Sequence, residues 1–272
     1  MKTIKQTFLI AVFGMLLWSN SSIAQEEKSY LITVTKVHWN MDLKNFNFDE
    51  WKATEKEYLD KVVKKNPLII NQEILLHYFT ADNTEILLVS TYESWGDIEK
   101  AGNKSDELIK AAWPDEKARN AYFEKKNQYY SGIHSDEIYY TMPGAKLPKA
   151  AFDKDMVYYV RVSHFANQDD GTNKEFNELS KQYFNAVTNK NNFIKAYYPN
   201  AHAWGANNTE FTEVFVVETL ADLESALKNN NELYKAAWKD EKSRKEFEDK
   251  FDKYFTGVHG DYIYKLVHEL TK

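Results

Sequence analysis

The sequence predicts an α+β fold written twice in one chain. Three observations lead there. KAAWPDEKARNAYFEKKNQYYSGIHSDEIYY (Lys110 to Tyr140) matches KAAWKDEKSRKEFEDKFDKYFTGVHGDYIYK (Lys235 to Lys265) without a gap, which points to an internal duplication. The same spacing holds upstream, where ADNTE (Ala81 to Glu85) falls on ANNTE (Ala206 to Glu210) and DIEKA (Asp97 to Ala101) on DLESA (Asp222 to Ala226). Finally, MPGAKLPK (Met142 to Lys149), with two prolines and a glycine, reads as a linker between the copies. The offset is 125 positions, as from His134 to His259, and grows by one before Trp51, where a loop gained or lost a residue.

Each half can be read with the other as a check. YLITVTKVHW (Tyr30 to Trp39) and MVYYVRVSHF (Met156 to Phe165) are rich in β-branched and aromatic residues and read as first strands. Amphipathic helices follow near Asp49 to Lys64 and Lys174 to Asn189. Second strands cover about Leu68 to Phe79 and Phe193 to Trp204; Asp82-Asn83 and Asn207-Asn208 supply the hairpin turns. Third strands run from Glu85 to Tyr92 and from Glu210 to Val217. The helical region after them is split by Pro114 in the first half, as a proline opening a new helix would do. Gly132 and Gly257 are expected to end these helices, and the last strands hold Ile138-Tyr139 and Ile263-Tyr264.

Strand, helix, strand, strand, helix, strand is the split βαβ order of a ferredoxin-like fold. Two such units in one chain resemble the dimeric α+β barrel superfamily, with tandem ferredoxin-like βαββαβ repeats packed as an internal pseudo-dimeric barrel. The resemblance rests on element order, duplication and repeat length, and no signature motif carries it. It implies a fold that serves cofactor-free monooxygenases, sugar mutarotases and haem proteins of the chlorite dismutase type. Function must therefore be argued from the site.

Organisation and composition narrow the classes. Residues 1–24 have a basic start, the apolar run TFLIAVFGMLLW and a small-x-small exit at Ser22 and Ala24, the pattern of a signal peptide. The first repeat is then 25–141, the linker 142–150 and the second repeat 151–272. A periplasmic or secreted location is expected, with no membrane contact once the leader is removed. There is no cysteine, so the fold must hold by packing alone. The formal charge of -6 becomes more negative when Lys2 and Lys5 leave with the leader, which excludes nucleic acid as a natural partner. A small-molecule ligand is expected; an oligomer is possible but not required.

Six of the seven histidines pair across the halves: His38 with His164, His77 with His202, and His134 with His259. In a split βαβ unit each set lies at one end of the sheet. His38 shares a strand face with Ile32 and Val34, and His164 with Tyr158, Val160 and Val162. That apolar face is expected to meet the helices, putting His38 and His164 at the mouth of a sheet–helix pocket. His77 and His202 lie on a second strand expected at a sheet edge. His268 stands alone and reads as exposed. Trp113 and Trp238 end helices and would plug the core or line the pocket. The expected ligand-binding set is thus His38, His77, Trp113, His164, His202 and Trp238.

His134 with Asp136, and His259 with Asp261, put an imidazole and a carboxylate on one strand face, a candidate acid–base pair. Two further readings stay open. Three imidazoles could hold a metal, although a 4-1-3-2 strand order puts His134 beside His38 and His77 two strands from His38, roughly 10 Å away. One histidine could ligate a haem. Metal and cofactor are therefore unknown. The expected function is binding of a small, partly apolar ligand in sheet–helix pockets edged by these histidines. The alternatives are a monooxygenase-like or isomerase-like enzyme, and a non-catalytic protein whose histidines only hold turns. Arg119 and Arg244 read as solvated helix pairing.

Overall fold

The computed structural model describes residues 28–167 and 170–272. The expected signal peptide, 1–24, lies outside the described residues. The first half runs β1 (Leu31–Trp39), α1 (Phe48–Lys61), β2 (Asn71–Phe79), β3 (Glu85–Tyr92), α2 (Trp95–Ala112), α3 (Glu116–Asn127) and β4 (Tyr130–Thr141). The second runs β5 (Val157–Phe165), α4 (Asn173–Ala186), β6 (Ala196–Trp204), β7 (Glu210–Val217), α5 (Leu220–Ala237), α6 (Glu241–Asp252) and β8 (Phe255–Leu266).

Local chemistry sets the helix starts. Asn47, Ser94, Asp115, Thr172, Thr219 and Asp240 each cap a helix by accepting a backbone N–H in its first turn. The first-half split falls at Pro114. The second half breaks at the same place without proline, because Asp240 caps α6 there. Arg119 and Arg244 are not merely solvated: their guanidiniums donate to the carbonyls of Trp113 and Trp238, at 3.0 and 2.9 Å, and so fix both helix corners.

All eight strands close into one antiparallel barrel in the order β1-β3-β2-β8-β5-β7-β6-β4. Each half contributes the order 4-1-3-2. The halves join where β2 pairs with β8 and β4 with β6. The second strands are therefore not edges, because each halves' would-be edge is paired by the other half. Backbone hydrogen bonds extend the second seam along the linker, where Lys146 bridges Tyr197.

Two expectations need correcting. Gly132 and Gly257 do not end helices; they lie three residues into β4 and β8, and the strands start at Tyr130 and Phe255. Both strands carry a register shift near this point, and Gly257 takes φ +79, a conformation suited to glycine. The second correction concerns strand faces. Closing the barrel turns the Ile32, Val34 and Val160 face inward, where it lines the lumen with Leu75, Leu87 and Tyr264. The helices instead cover the face with Val37 and Trp39 in the first half, and Val157 and Tyr159 in the second. An isolated four-stranded sheet would bury its apolar face under helices; a closed barrel has two faces to bury.

Candidate active site

The two halves use the space between sheet and helices differently. In the first half large side chains pack across it. Trp51 is fully buried against Ile74, Ile86 and Tyr129. Nearby, Glu55 is 5% exposed, pairs with Lys126 at 2.8 Å and accepts from the Tyr130 hydroxyl at 2.7 Å. A buried ion pair is tolerable only when so satisfied. The Tyr130 hydroxyl in turn accepts from Trp51 Nε1 at 2.9 Å, which closes the network.

In the second half Glu55, Lys126 and Tyr130 are replaced by Ser180, Phe251 and Phe255. Serine is far shorter than glutamate, and the volume is left open. A cavity of about 450 Å³ lies between β5, β6, β7 and the helices α4, α5 and α6. Its floor holds Tyr159, Arg161, Tyr197, Glu213 and Phe215; its roof holds Ser180, Tyr183, Leu223, Phe247 and Phe251. Met142 to Gly144 of the linker close one side. The Ser180 hydroxyl is buried without a hydrogen-bond partner.

The floor carries ionisable and phenolic side chains at positions where the first half has none. Arg161, Glu213, Tyr159 and Tyr197 stand where the first half has Thr35, Leu88, Thr33 and Gln72. The Tyr197 hydroxyl donates to Glu213 Oε1 at 2.7 Å. Burial pushes the Glu213 carboxyl above its ordinary pKa, and the Tyr197 bond and the charge of Arg161 only partly oppose it. Asp261 accepts from the Tyr159 hydroxyl at 2.6 Å and from Arg161 Nε at 3.0 Å. Burial pushes its pKa up, but those bonds outweigh burial and hold it below the usual carboxylate range. Burial also raises Tyr183, to about 12, so its phenol stays neutral. The cavity thus offers aromatic walls, one carboxyl whose proton affinity burial raises and one carboxylate paired behind an arginine.

The histidines do not form one cluster. His134 and His259 lie within β4 and β8, each 3.3 Å from the carboxylate two residues on. Asp136 also accepts from Thr35 Oγ1 at 2.7 Å. Only Asp261 of these two carboxylates is bonded to residues lining a cavity. His38 and His164 sit on the lumen-side rows and hold the hairpin turns instead: His38 Nδ1 lies 3.1 Å from Thr84 Oγ1, and His164 Nδ1 lies 3.2 Å from Thr209 Oγ1. His77 bonds Thr80 at 2.7 Å. His202 has a buried Nε2 with no partner. His268 is not a lone exposed residue, since it bonds Asp155 Oδ1 at 2.7 Å. Trp113 stacks on Tyr122, and Trp238 packs on Phe247 and Tyr234 behind the cavity wall. None of His38, His77, Trp113, His164, His202 or Trp238 lines the sheet–helix cavity.

The cofactor readings can be tested on these side chains. Among the described residues no group of three or more His, Cys, Asp or Glu is placed to hold a metal ion. The cavity lining contains no imidazole, so a histidine-ligated haem does not fit it. Sequence reasoning passed over Arg161, Glu213, Tyr197 and Ser180 because it weighed what the halves share. The usable signal was the opposite one: aligned positions where the halves disagree.

No family model and no curated protein sequence matches the chain. Solved structures do. A provisionally assigned monooxygenase from Fusobacterium nucleatum subsp. nucleatum aligns over 88% of this chain and 92% of its own, with a TM-score of 0.53 at 10% identity. Chlorite dismutase from Candidatus Nitrospira defluvii, in complex with imidazole, aligns over 91% of this chain and 95% of its own, with a TM-score of 0.50 at 12% identity. An anthrone oxidase-like protein covers 91% and 94% at 12% identity and a TM-score of 0.48. The first two of these likenesses show an α+β fold shared with this chain, and they show the fold alone.

Proposed function

We propose that the protein is exported and binds a small aromatic molecule in the second-half cavity, where it carries out a monooxygenase-type reaction. The observation that supports this is the divergence of the halves: aromatic and aliphatic side chains pack one sheet–helix space, and its counterpart is an aromatic cavity with a half-buried carboxyl and an arginine on its floor. Cavities of this size with few polar groups are where small ligands bind. A phenol is the ligand class that suits the lining. Its ring stacks among Tyr183, Phe215 and Phe247, and its hydroxyl reaches Glu213. A carboxyl whose proton affinity is raised by burial is a base closer to neutrality than a surface glutamate. Arg161, anchored by Asp261, faces the phenolate that proton removal would leave. His259 beside Asp261 is the relay from this floor to solvent. The step balances with the phenol itself as reductant: O2 gives one oxygen atom to the ring, the other leaves as water, and the phenol becomes a quinone, a reaction class in line with the fold neighbour named as a monooxygenase.

The test is a titration of phenols, including catechol and hydroquinone, followed by saturation-transfer NMR and by oxygen uptake. Ser180→Trp should abolish binding by filling the cavity. Glu213→Gln should retain binding and lose oxygen uptake by about a hundredfold, the typical size of a general-base effect. Binding that survives Ser180→Trp would overturn the site. Oxygen uptake unaffected by Glu213→Gln would overturn the role of the carboxyl.

A further inference from the structure

The barrel has an interior of its own that the sheet–helix cavity does not use. Valines 34, 89, 160 and 214 point into it, yet all four are only half-buried, so the lumen is not filled by its own walls. The lumen belongs to a space of about 2090 Å³ that also takes in a groove outside it along the linker, giving a path to solvent.

Inside stands Glu73, on β2. Burial raises its proton affinity, and among the described residues it has no cationic partner; it accepts a hydrogen bond from Asn71 Nδ2 at 3.1 Å. Glu85, which is 3% exposed, makes the contrast with the half-buried Glu73: it is held by Lys36 at 2.8 Å and by the Tyr264 hydroxyl at 2.9 Å. Beside Glu73 lies Tyr158, whose residue is 2% exposed and whose hydroxyl makes no hydrogen bond of normal geometry. Asn200, 6% exposed on the lumen face of β6, spends its amide nitrogen on the Tyr198 carbonyl at 3.1 Å and leaves Oδ1 unpartnered. A carboxyl with no cation beside it and an amide oxygen with no donor therefore face one tyrosine-rich space. Leaving such groups unmatched costs stability, and a cationic donor from outside the chain would match them. A carboxylate among aromatic rings is the chemistry that recognises an ammonium group.

We propose that the barrel lumen is a second binding site, for a small organic amine whose ammonium group sits at Glu73 beside Tyr158 and whose apolar body lies along the valine walls. It stands independently of the sheet–helix cavity.

The experiment is calorimetric titration of the whole protein with benzylamine and hexylamine, and with benzyl alcohol and hexan-1-ol as neutral analogues of the same shape. The amines bind and the alcohols bind at least about tenfold more weakly, because only an ammonium supplies charge and donors together. Glu73→Gln lowers amine affinity about tenfold or more and brings the amines level with the alcohols. Tyr158→Phe, which removes only an oxygen, lowers it by a smaller factor and serves if Glu73→Gln fails to fold. Ser180→Trp, which fills the other cavity, leaves amine affinity unchanged. Equal binding of amines and alcohols, undiminished affinity in both Glu73→Gln and Tyr158→Phe, or no binding of either amine overturns the proposal.

Discussion

The first and second halves share a backbone plan but solve the same packing problem in opposite ways. Where Glu55, Lys126 and Tyr130 lock the first half shut, Ser180, Phe251 and Phe255 leave the second half open. Where Leu88 packs under the first-half helices, Glu213 faces a cavity. The shared features hold the shape: Asn66 and Asn191, both fully buried, donate to the carbonyls of Ala101 and Ala226 at 2.8 Å and tie corresponding loops to corresponding helices. Duplication supplied two equivalent spaces, and side chains at few positions made one of them a scaffold and the other a site.

The largest test of this contrast is Lys126→Met. It strands Glu55 in the first-half core and is expected to cost about 3–5 kcal/mol in urea unfolding. Phe251→Ala, at the aligned position, trims a cavity wall and should cost less, about 2 kcal/mol, since its ring is half-buried and strands no charge. Equal losses would break the comparison.

Exchanging the floor residues comes next. Leu88→Glu puts a carboxyl without a partner under the first-half helices and is expected to cost about 3 kcal/mol. Glu213→Leu gives the second half the first half's own residue and should leave stability unchanged or raise it by about 1 kcal/mol, while ending phenol binding. A large loss from Glu213→Leu would show that the carboxyl serves the fold instead.

Acidity sharpens the same point. Burial raises the folded-state pKa of Glu213, so the folded protein holds this proton more tightly than the unfolded chain. Stability from that proton is fully present below the unfolded value, near 4.5, and is lost as pH rises through the raised folded value. Relative to Glu213→Gln, the wild type should therefore lose stability as pH climbs from that value towards neutrality. A flat difference would contradict it. Asp261 runs the other way: its lowered pKa gives stability that is present above about 3.8 and fades as pH falls through the folded value. Arg161→Thr, which copies the first half, should remove most of that fading.

The smallest effects test what the halves share. His38→Ala and His164→Ala each remove one turn bond and should each cost about 1 kcal/mol, with no effect on phenol binding.

Much of the architecture was legible because duplication doubled every signal. Strands, helices, hairpin turns and the 4-1-3-2 order follow from repeated patterns at matched positions. What failed was the assignment of faces. Alternation along Ile32, Val34 and His38 identifies one face, but whether that face meets helices or a lumen depends on barrel closure, a property of both halves together. Glycine was misleading for a related reason: Gly132 and Gly257 look like helix stops, but they mark a shift in register within long strands. The paired histidines drew attention because they were retained, and in two of the three pairs both imidazoles contact turn threonines or a neighbouring carboxylate. Divergence carried the functional information, at Thr35 against Arg161, Leu88 against Glu213 and Glu55 against Ser180.

The most direct measurement is a map of aromatic and methyl NMR shifts as a phenol is titrated into the protein. The changes should centre on Tyr183, Phe215, Leu223 and Phe247 and leave Tyr58, Leu88, Ile98 and Tyr122 of the first half in place. Equal changes in both halves, or changes confined to the first, would contradict a site built by the divergence of one repeat from the other.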